Sequence, residues 1–323
     1  MTVIPTRLRL RRLVALLVAA GALASCSSGS TSTSAPTSIG APGAAPSTPP
    51  GSSATSTTVT RGSGAVDVLY AGSLVNLMEK GIGPEFDAAT GYSFQGRSGN
   101  AGALANEIKG KTVVGDVFIG AAPANDIALE GAANGSWVSW YATFADSPLV
   151  LGYNPTSSFA HDFKTMPWYK VLALPGILVG RTDPATDPKG ALTVTALKAA
   201  ALAKDEPALT QIAADSSNVY PEDTLVGRLQ AGQLDAGFFY SVEAAAGNFP
   251  AVTLAGEPSP LAAQYTITVL AGAPHQAAAD AFVKFLLGPT GAADLAKYGL
   301  TVTSPIPVTG SVPPALSGVL SGS

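Results

Sequence analysis

The chain has one cysteine, Cys26, and two histidines, His161 and His275, in 323 residues. A disulfide within the chain is therefore impossible, and so is a multi-cysteine metal site. Each histidine stands among loop signals with no carboxylate or cysteine at a metal-ligand spacing, so both read as surface residues. Charge is scarce as well: 12% of residues are charged and the formal net charge is -4. Several of the few basic residues lie at the very start, which leaves the remainder more acidic and without a basic stripe for nucleic acid. There is no phosphate-binding P-loop and no G-x-S-x-G nucleophile turn. Gly96-Arg97-Ser98-Gly99-Asn100 resembles a phosphate cradle only loosely, because it lacks the lysine and the spacing. Acid–base catalysis would fall to scattered Asp and Glu residues that nothing in the sequence pairs. The expectation is a protein that is not an enzyme and that carries no cofactor or resident metal.

What is present begins with Arg7, Arg9, Arg11 and Arg12, an apolar run from Leu13 to Ala24, and then Cys26. A basic segment followed by a short apolar one reads as a secretory signal, too short to span a bilayer stably. Leu23-Ala24-Ser25-Cys26 has the form of a bacterial lipobox. The reading is cleavage after residue 25, lipidation of Cys26 and a lipid-anchored, extracytoplasmic protein on the cell membrane. Residues 26–64 are almost entirely Ser, Thr, Pro, Gly and Ala, with Arg61 as the single charge. Such a segment has too little apolar surface to offset the entropy of ordering and reads as a flexible tether.

Past Val66 short apolar strands alternate with amphipathic helices. Val66–Tyr70, Tyr92–Phe94 and Asp116–Ile119 are strand-like, with helical spacing at Leu74, Leu77 and Met78 and again over 101–109. Gly96 to Asn100 reads as a polar loop. A second set runs through Leu149–Tyr153, Leu178–Gly180, helices at 193–203 and near 224–231, and a strand at Ala236–Tyr240. Strands follow at 252–254 and 265–270, then two helices at 277–287 and 290–298. The alternation argues for an α/β architecture with a mainly parallel sheet. Residues 308–323, rich in Gly, Ser and Pro, read as a loose tail.

Three hydroxyls stand at strand-to-helix turns: Ser73, Ser98 and Thr224. Each is an ordinary helix N-cap residue. Alternatively, several helix N-termini converge on one cleft, where free amides and hydroxyls form an anion site without basic side chains. Open α/β sheets place ligands at the carboxyl ends of their strands, where these turns lie. Spacing leaves both readings open.

Five segments in order carry a resemblance. Asp67-Val68-Leu69-Tyr70-Ala71-Gly72-Ser73-Leu74 resembles an opening strand with an A-[AG]-S-L turn, and Gly115-Asp116-Val117-Phe118-Ile119 a following core strand. They are joined by the Arg181–Gly190 segment with its two Asp-Pro pairs, by Gly232–Tyr240, and by Ala296-Lys297-Tyr298-Gly299-Leu300. Together, from Val66 to about Pro307, they resemble the molybdate/tungstate-binding proteins of ABC importers. The resemblance implies a two-lobed periplasmic-binding-protein-like α/β fold with a hinge and a central cleft. Lobe 1 would comprise 66–146 plus 253–307, and lobe 2 residues 147–252. It also implies a monomer that binds molybdate or tungstate and hands it to a membrane permease. The alternatives are another oxyanion such as sulfate, or a secreted enzyme or adhesion module on the same fold.

Carried over position by position, the resemblance assigns ligand contacts to the Ser73, Ser98 and Tyr240 hydroxyls and to the amides of Lys189 and Thr224. These are neutral donors, suited to a tetrahedral oxyanion. A branch of the family adds two carboxylates that bind the metal directly. Here Asp187 matches one of them, whereas the other position is Phe239, so tetrahedral hydrogen-bonded binding is expected. Asp187 would then cap a turn or pair with Arg97, itself unusual for the family and open to reaching the anion or solvent.

Overall fold

The computed structural model describes residues 61–254 and 261–320. The leader, Cys26 and all but the last residues of the tether lie outside the described residues. Among the described residues no helix is long and apolar enough to cross a membrane.

Among the described residues ten strands join in one hydrogen-bonded sheet: β1 (Ala65–Ala71), β2 (Ser93–Gly99), β3 (Val117–Gly120), β4 (Trp140–Tyr153), β5 (Val179–Gly180), β6 (Ala236–Tyr240), β7 (Ala251–Thr253), β8 (Ala262–Val269), β9 (Thr301–Val302) and β10 (Val308–Gly310). Their order is β2-β1-β3-β8-β4-β6-β5, with β7, β9 and β10 also pairing β4. The sheet is mixed. β1 runs parallel to β2 and β3, whereas β8 is antiparallel to both β3 and β4.

β1 is buried on both faces, which is what its nearly unbroken apolar sequence requires. Val66, Val68 and Tyr70 join the main core, while Leu69 packs with Phe118 under Leu104 and Ile108 of the helix Ala101–Lys109. Phe86 meets Phe282 and Phe285 edge-on at 5.3 and 5.8 Å, which ties the helix Gly83–Thr90 to the helix Gln276–Leu286. A third cluster, Val150, Leu225, Leu229, Leu234, Phe239 and Phe249, lies beneath the helix Glu222–Gln230.

The long strand β4 changes partners along its length. Its residues 142–148 pair with β8, and its residues 149–153 pair with β6. Pro148, which has no N–H to give to a ladder, stands at the changeover. Beside it the buried Ser147 hydroxyl lies 2.9 Å from that of Ser241 and accepts from the Val242 amide. The return path has the same character: β7 pairs with Gly152–Val150 of β4, and β8 then pairs with its first half.

Three local expectations change. Gly96–Gly99 continue β2 rather than forming a loop, because every residue of the strand has a parallel partner on β1. The tail is ordered as far as residue 320: β10 pairs with Trp140–Ala142, and Leu316 and Leu320 are buried. His275 is not isolated. Its ring lies 2.9 Å from Asp116 Oδ2 and 3.6 Å from Asp67 Oδ2, carboxylates that β1 and the approach to β3 bring to it. The hydrogen bond that the ring donates to Asp116, then the Asp116 charge, raises the His275 pKa. Asp116 also accepts the amides of Asp67 and His275, so it clamps two chain segments together.

Candidate functional site

The turns at the carboxyl ends of β1, β2 and β6 face the loops that open the helices Pro188–Ala203 and Glu222–Gln230. Asn100, just past β2, sits 3.5 Å from the Thr186 hydroxyl and accepts the Glu222 amide at 3.4 Å. Two glycines allow this approach. A Cβ at Gly102 would stand 2.5 Å from the Thr186 carbonyl oxygen, and one at Gly72 would stand 2.8 Å from Glu222 Oε2.

Ser73 follows in the same turn and is buried, with its hydroxyl 2.9 Å from that of Tyr265 on β8. Tyr265 lies against Tyr240 at the end of β6, ring centroids 6.2 Å apart. Tyr240 is fully buried and its hydroxyl has no hydrogen-bond partner. Burial first, then the Asp187 charge, pushes both its pKa and its proton affinity well above the ordinary, so it remains a neutral hydroxyl.

Asp187 is the N-cap of the helix Pro188–Ala203. Its Oδ1 accepts the Lys189 amide at 2.8 Å, and its buried Oδ2 has no partner. Lys189 then sends its side chain inward, completely buried. Its ammonium donates to Glu243 Oε1 at 2.7 Å, Glu243 Oε2 at 2.9 Å and Glu222 Oε1 at 3.1 Å, which occupies all three protons. The same ammonium lies 5.6 Å from the Tyr240 ring centre. Burial disfavours that ammonium, but Glu222, Glu243 and Asp187 together outweigh it and hold it charged. Burial, then Asp187, pushes the Glu222 carboxyl up to about 8 against the pull of Lys189. Burial raises Glu243 as well, against the hydrogen bonds that Lys189 and the Tyr240 amide donate to it.

Two cavities meet here. Ser73, Asn76, Glu222, Glu243 and Gln230 line one of about 240 Å³. Ser98, Asn100, Thr186, Tyr220 and Arg97 line another of about 400 Å³ at the mouth, and Asp223 borders both.

The structure thus gathers Ser73, Tyr240, Asp187 and Lys189 into one buried cluster and leaves Ser98 at the mouth. Two implied contacts do not survive. The Lys189 amide is taken by Asp187 rather than open to a ligand. Thr224 is exposed, and both its amide and its hydroxyl bond to the Pro221 carbonyl, because the helix starts at Glu222 and Thr224 falls inside its first turn. Arg97 pairs with Glu107 at 2.5 Å, not with Asp187. Sequence reasoning missed Glu222, Glu243 and Tyr265. Glu222 and Glu243 each fall in the first turn of a helix, where an acidic residue is ordinarily a solvated partner of the helix dipole.

Comparison with known proteins adds the following. Residues 66–301 match the family model described as bacterial extracellular solute-binding protein. A protein of Haloferax volcanii, named as a candidate ABC transporter molybdenum-binding protein, is 34% identical over 191 residues, covering 58% of this chain and 59% of that one. The molybdate/tungstate-binding protein WtpA of Thermococcus kodakarensis is 25% identical over 237 residues, 57% of this chain and 66% of that one. The chain therefore spans less than two thirds of the length of these curated relatives. Among solved structures, the periplasmic molybdate-binding protein of Azotobacter vinelandii shares the fold, with a TM-score of 0.58 at 18% identity over 74% of this chain and 100% of that one.

Proposed function

The chain belongs to the bacterial extracellular solute-binding protein family, and from that premise we propose that it captures molybdate or tungstate outside the cytoplasm for an ABC importer. The relatives named for these ions support the choice of ligand. The observation that carries the reading is the buried Tyr240 hydroxyl, which has no partner, beside the Ser73–Tyr265 hydroxyl pair. Buried polar atoms are ordinarily satisfied, and a hydroxyl donor left open at the carboxyl end of a strand marks where an acceptor ligand belongs.

In this reading the ion stays tetrahedral and accepts hydrogen bonds from Tyr240, Ser73 and, at the mouth, Ser98. Asp187 acts as the helix cap, while Phe239 packs in the apolar cluster beneath the helix Glu222–Gln230. The halves on either side of Ser147 are two lobes, 66–146 plus 253–307 and 147–252, that close on the ion about the β4 changeover and the β7–β8 return. The protein is a monomer, anchored through lipid on Cys26, and delivers its ion to a membrane permease.

Calorimetry tests the reading. Molybdate and tungstate should both bind the purified full-length chain tightly, with a much weaker response to sulfate, whose smaller size leaves the same donors out of reach. Equal or tighter binding of sulfate would overturn the choice of ion.

A further inference from the structure

Three segments meet at the edge of the sheet opposite the turn that carries Ser73. β1 and β3 run parallel with Val68 beside Val117, so Asp67 and Asp116 lie next to each other where the two strands begin. β8 runs the other way and pairs Val269 with Val117, so its end delivers the chain to the same edge. From there the chain passes through His275 into the helix Gln276–Leu286. About 13 Å of strand separates Asp67 from Ala71, the last residue of β1, so this cluster stands apart from the oxyanion cleft.

Its geometry is that of a ligand set. Asp116 is completely buried, whereas the His275 and Asp67 side chains are partly exposed. His275 Nδ1 faces Asp116 Oδ2 at 2.9 Å and Asp67 Oδ2 at 3.6 Å, and one ligand atom from each residue lies within 4.8 Å of the others. Around a centre bonded at about 2.1 Å to each, those two separations subtend angles of about 90° and about 120°, which suit four- or five-coordinate zinc. Asp116 is also held in place. Its Oδ1 accepts the His275 amide at 2.7 Å and its Oδ2 the Asp67 amide at 2.8 Å, the kind of outer hydrogen bonds that orient a ligating carboxylate.

Charge points the same way. Buried charges are ordinarily paired or bound to a metal. Among the described residues the His275 ring is the only ion-pair partner of either aspartate, so two carboxylates share at most one positive charge. The ring proton serves Asp116 alone, since Asp67 at 3.6 Å is beyond hydrogen-bond reach.

We propose that Asp67, Asp116 and His275 form a binding site for zinc or a similar divalent transition-metal ion. His275 Nδ1 and one oxygen of each carboxylate hold the ion, and water completes its shell on the exposed side. The ion replaces the ring proton now shared with Asp116, neutralises both carboxylates, and ties β1, the start of β3 and the helix Gln276–Leu286 together. Two carboxylates alone would select no particular cation. The imidazole nitrogen between them favours zinc and its neighbours over calcium and magnesium, which take all-oxygen shells of about six or more ligands. The site is independent of the oxyanion cleft and of what fills it.

Titration of the chelator-stripped, full-length chain with zinc chloride tests this by calorimetry and by proton NMR. The expected result is a zinc site that calcium and magnesium fill far more weakly. The chain has two histidines, so zinc should move the ring resonances of one of them, and the exposed-loop variant His161→Gln assigns the moving set to His275. Asp67→Asn should weaken zinc binding by at least about tenfold, the usual cost of losing even an outer-shell partner. His275→Gln should remove the site. Zinc that leaves the His275 ring unmoved, binding that is unchanged in Asp67→Asn or His275→Gln, or calcium binding as tight as zinc overturns the proposal. The wild-type NMR titration decides the matter even if His275→Gln does not fold, and no outcome bears on the choice of oxyanion.

Discussion

The Ser73 hydroxyl lies 2.9 Å from the Tyr265 hydroxyl, joining the turn after β1 to strand β8, 192 residues further along the chain. Both groups are buried, so each depends on the other for a hydrogen bond. Ser73→Ala leaves Tyr265 unpaired and should cost about 1–3 kcal/mol of stability, together with a loss of oxyanion affinity of similar size. Tyr240→Phe should separate the two effects. Its hydroxyl has no partner in the structure, so removing it should change stability by less than about 0.5 kcal/mol while lowering affinity by about 1–3 kcal/mol. Urea denaturation paired with calorimetry checks both, and an unchanged affinity in both variants would place the ion elsewhere.

Lys189 holds two buried carboxylates. Lys189→Met leaves Glu222 and Glu243 without a counter-charge and should cost about 3–5 kcal/mol, the usual result of removing one partner from a buried ion pair. Adding Glu243→Gln to that variant should recover part of the loss, because one uncompensated carboxylate disappears. A urea series on the single and double variants reads this directly, and additive losses would count against the pairing.

Asp187→Asn tests the coordination of the ion. Asparagine caps a helix about as well as aspartate, so stability should hold within about 0.5 kcal/mol. With a tetrahedral, hydrogen-bonded ion the substitution removes a negative charge beside it, and affinity should stay level or improve. A loss of a hundredfold or more would mean that an Asp187 oxygen binds the metal itself.

Stability should fall as pH rises above neutrality. The His275 pKa is raised by Asp116, so the folded state holds that proton more tightly than the unfolded chain. The contribution is fully present below the ordinary histidine pKa of 6.5 and is lost as pH rises through the folded value. The raised carboxyl of Glu222 slopes the same way, between its ordinary 4.5 and about 8. Thermal melts from pH 6 to pH 9 should show the decline, and His275→Gln should make it shallower.

Much of the architecture was legible along the chain. The strands at 66–70, 116–119, 236–240 and 265–270 announce themselves as short apolar runs between turn residues, because burial on both faces leaves little room for polar side chains. Ser73 could be picked out because it stands where a strand ends, whereas Tyr240 was named only through the family resemblance of its strand. The helix start at Glu222 was harder to place, since Thr224 carries the stronger capping signal and Pro221 fixed the first turn instead.

The sequence by itself determined the alternation of strands and helices, the scarcity of charge, and the positions of the turns that carry polar groups. These follow from local propensity and from composition, which need no knowledge of what packs where. Only the tertiary structure decided that Lys189 reaches Glu243, 54 residues away, and that Asp67 and Asp116 meet His275. It also decided that the Gly72 turn lies against Glu222, and that Tyr240 and Asp187 keep oxygens open. The physical reason is that side-chain length, burial and hydrogen-bond supply are settled where distant segments meet, and a helix N-terminal glutamate reads the same in sequence whether it faces water or a buried lysine.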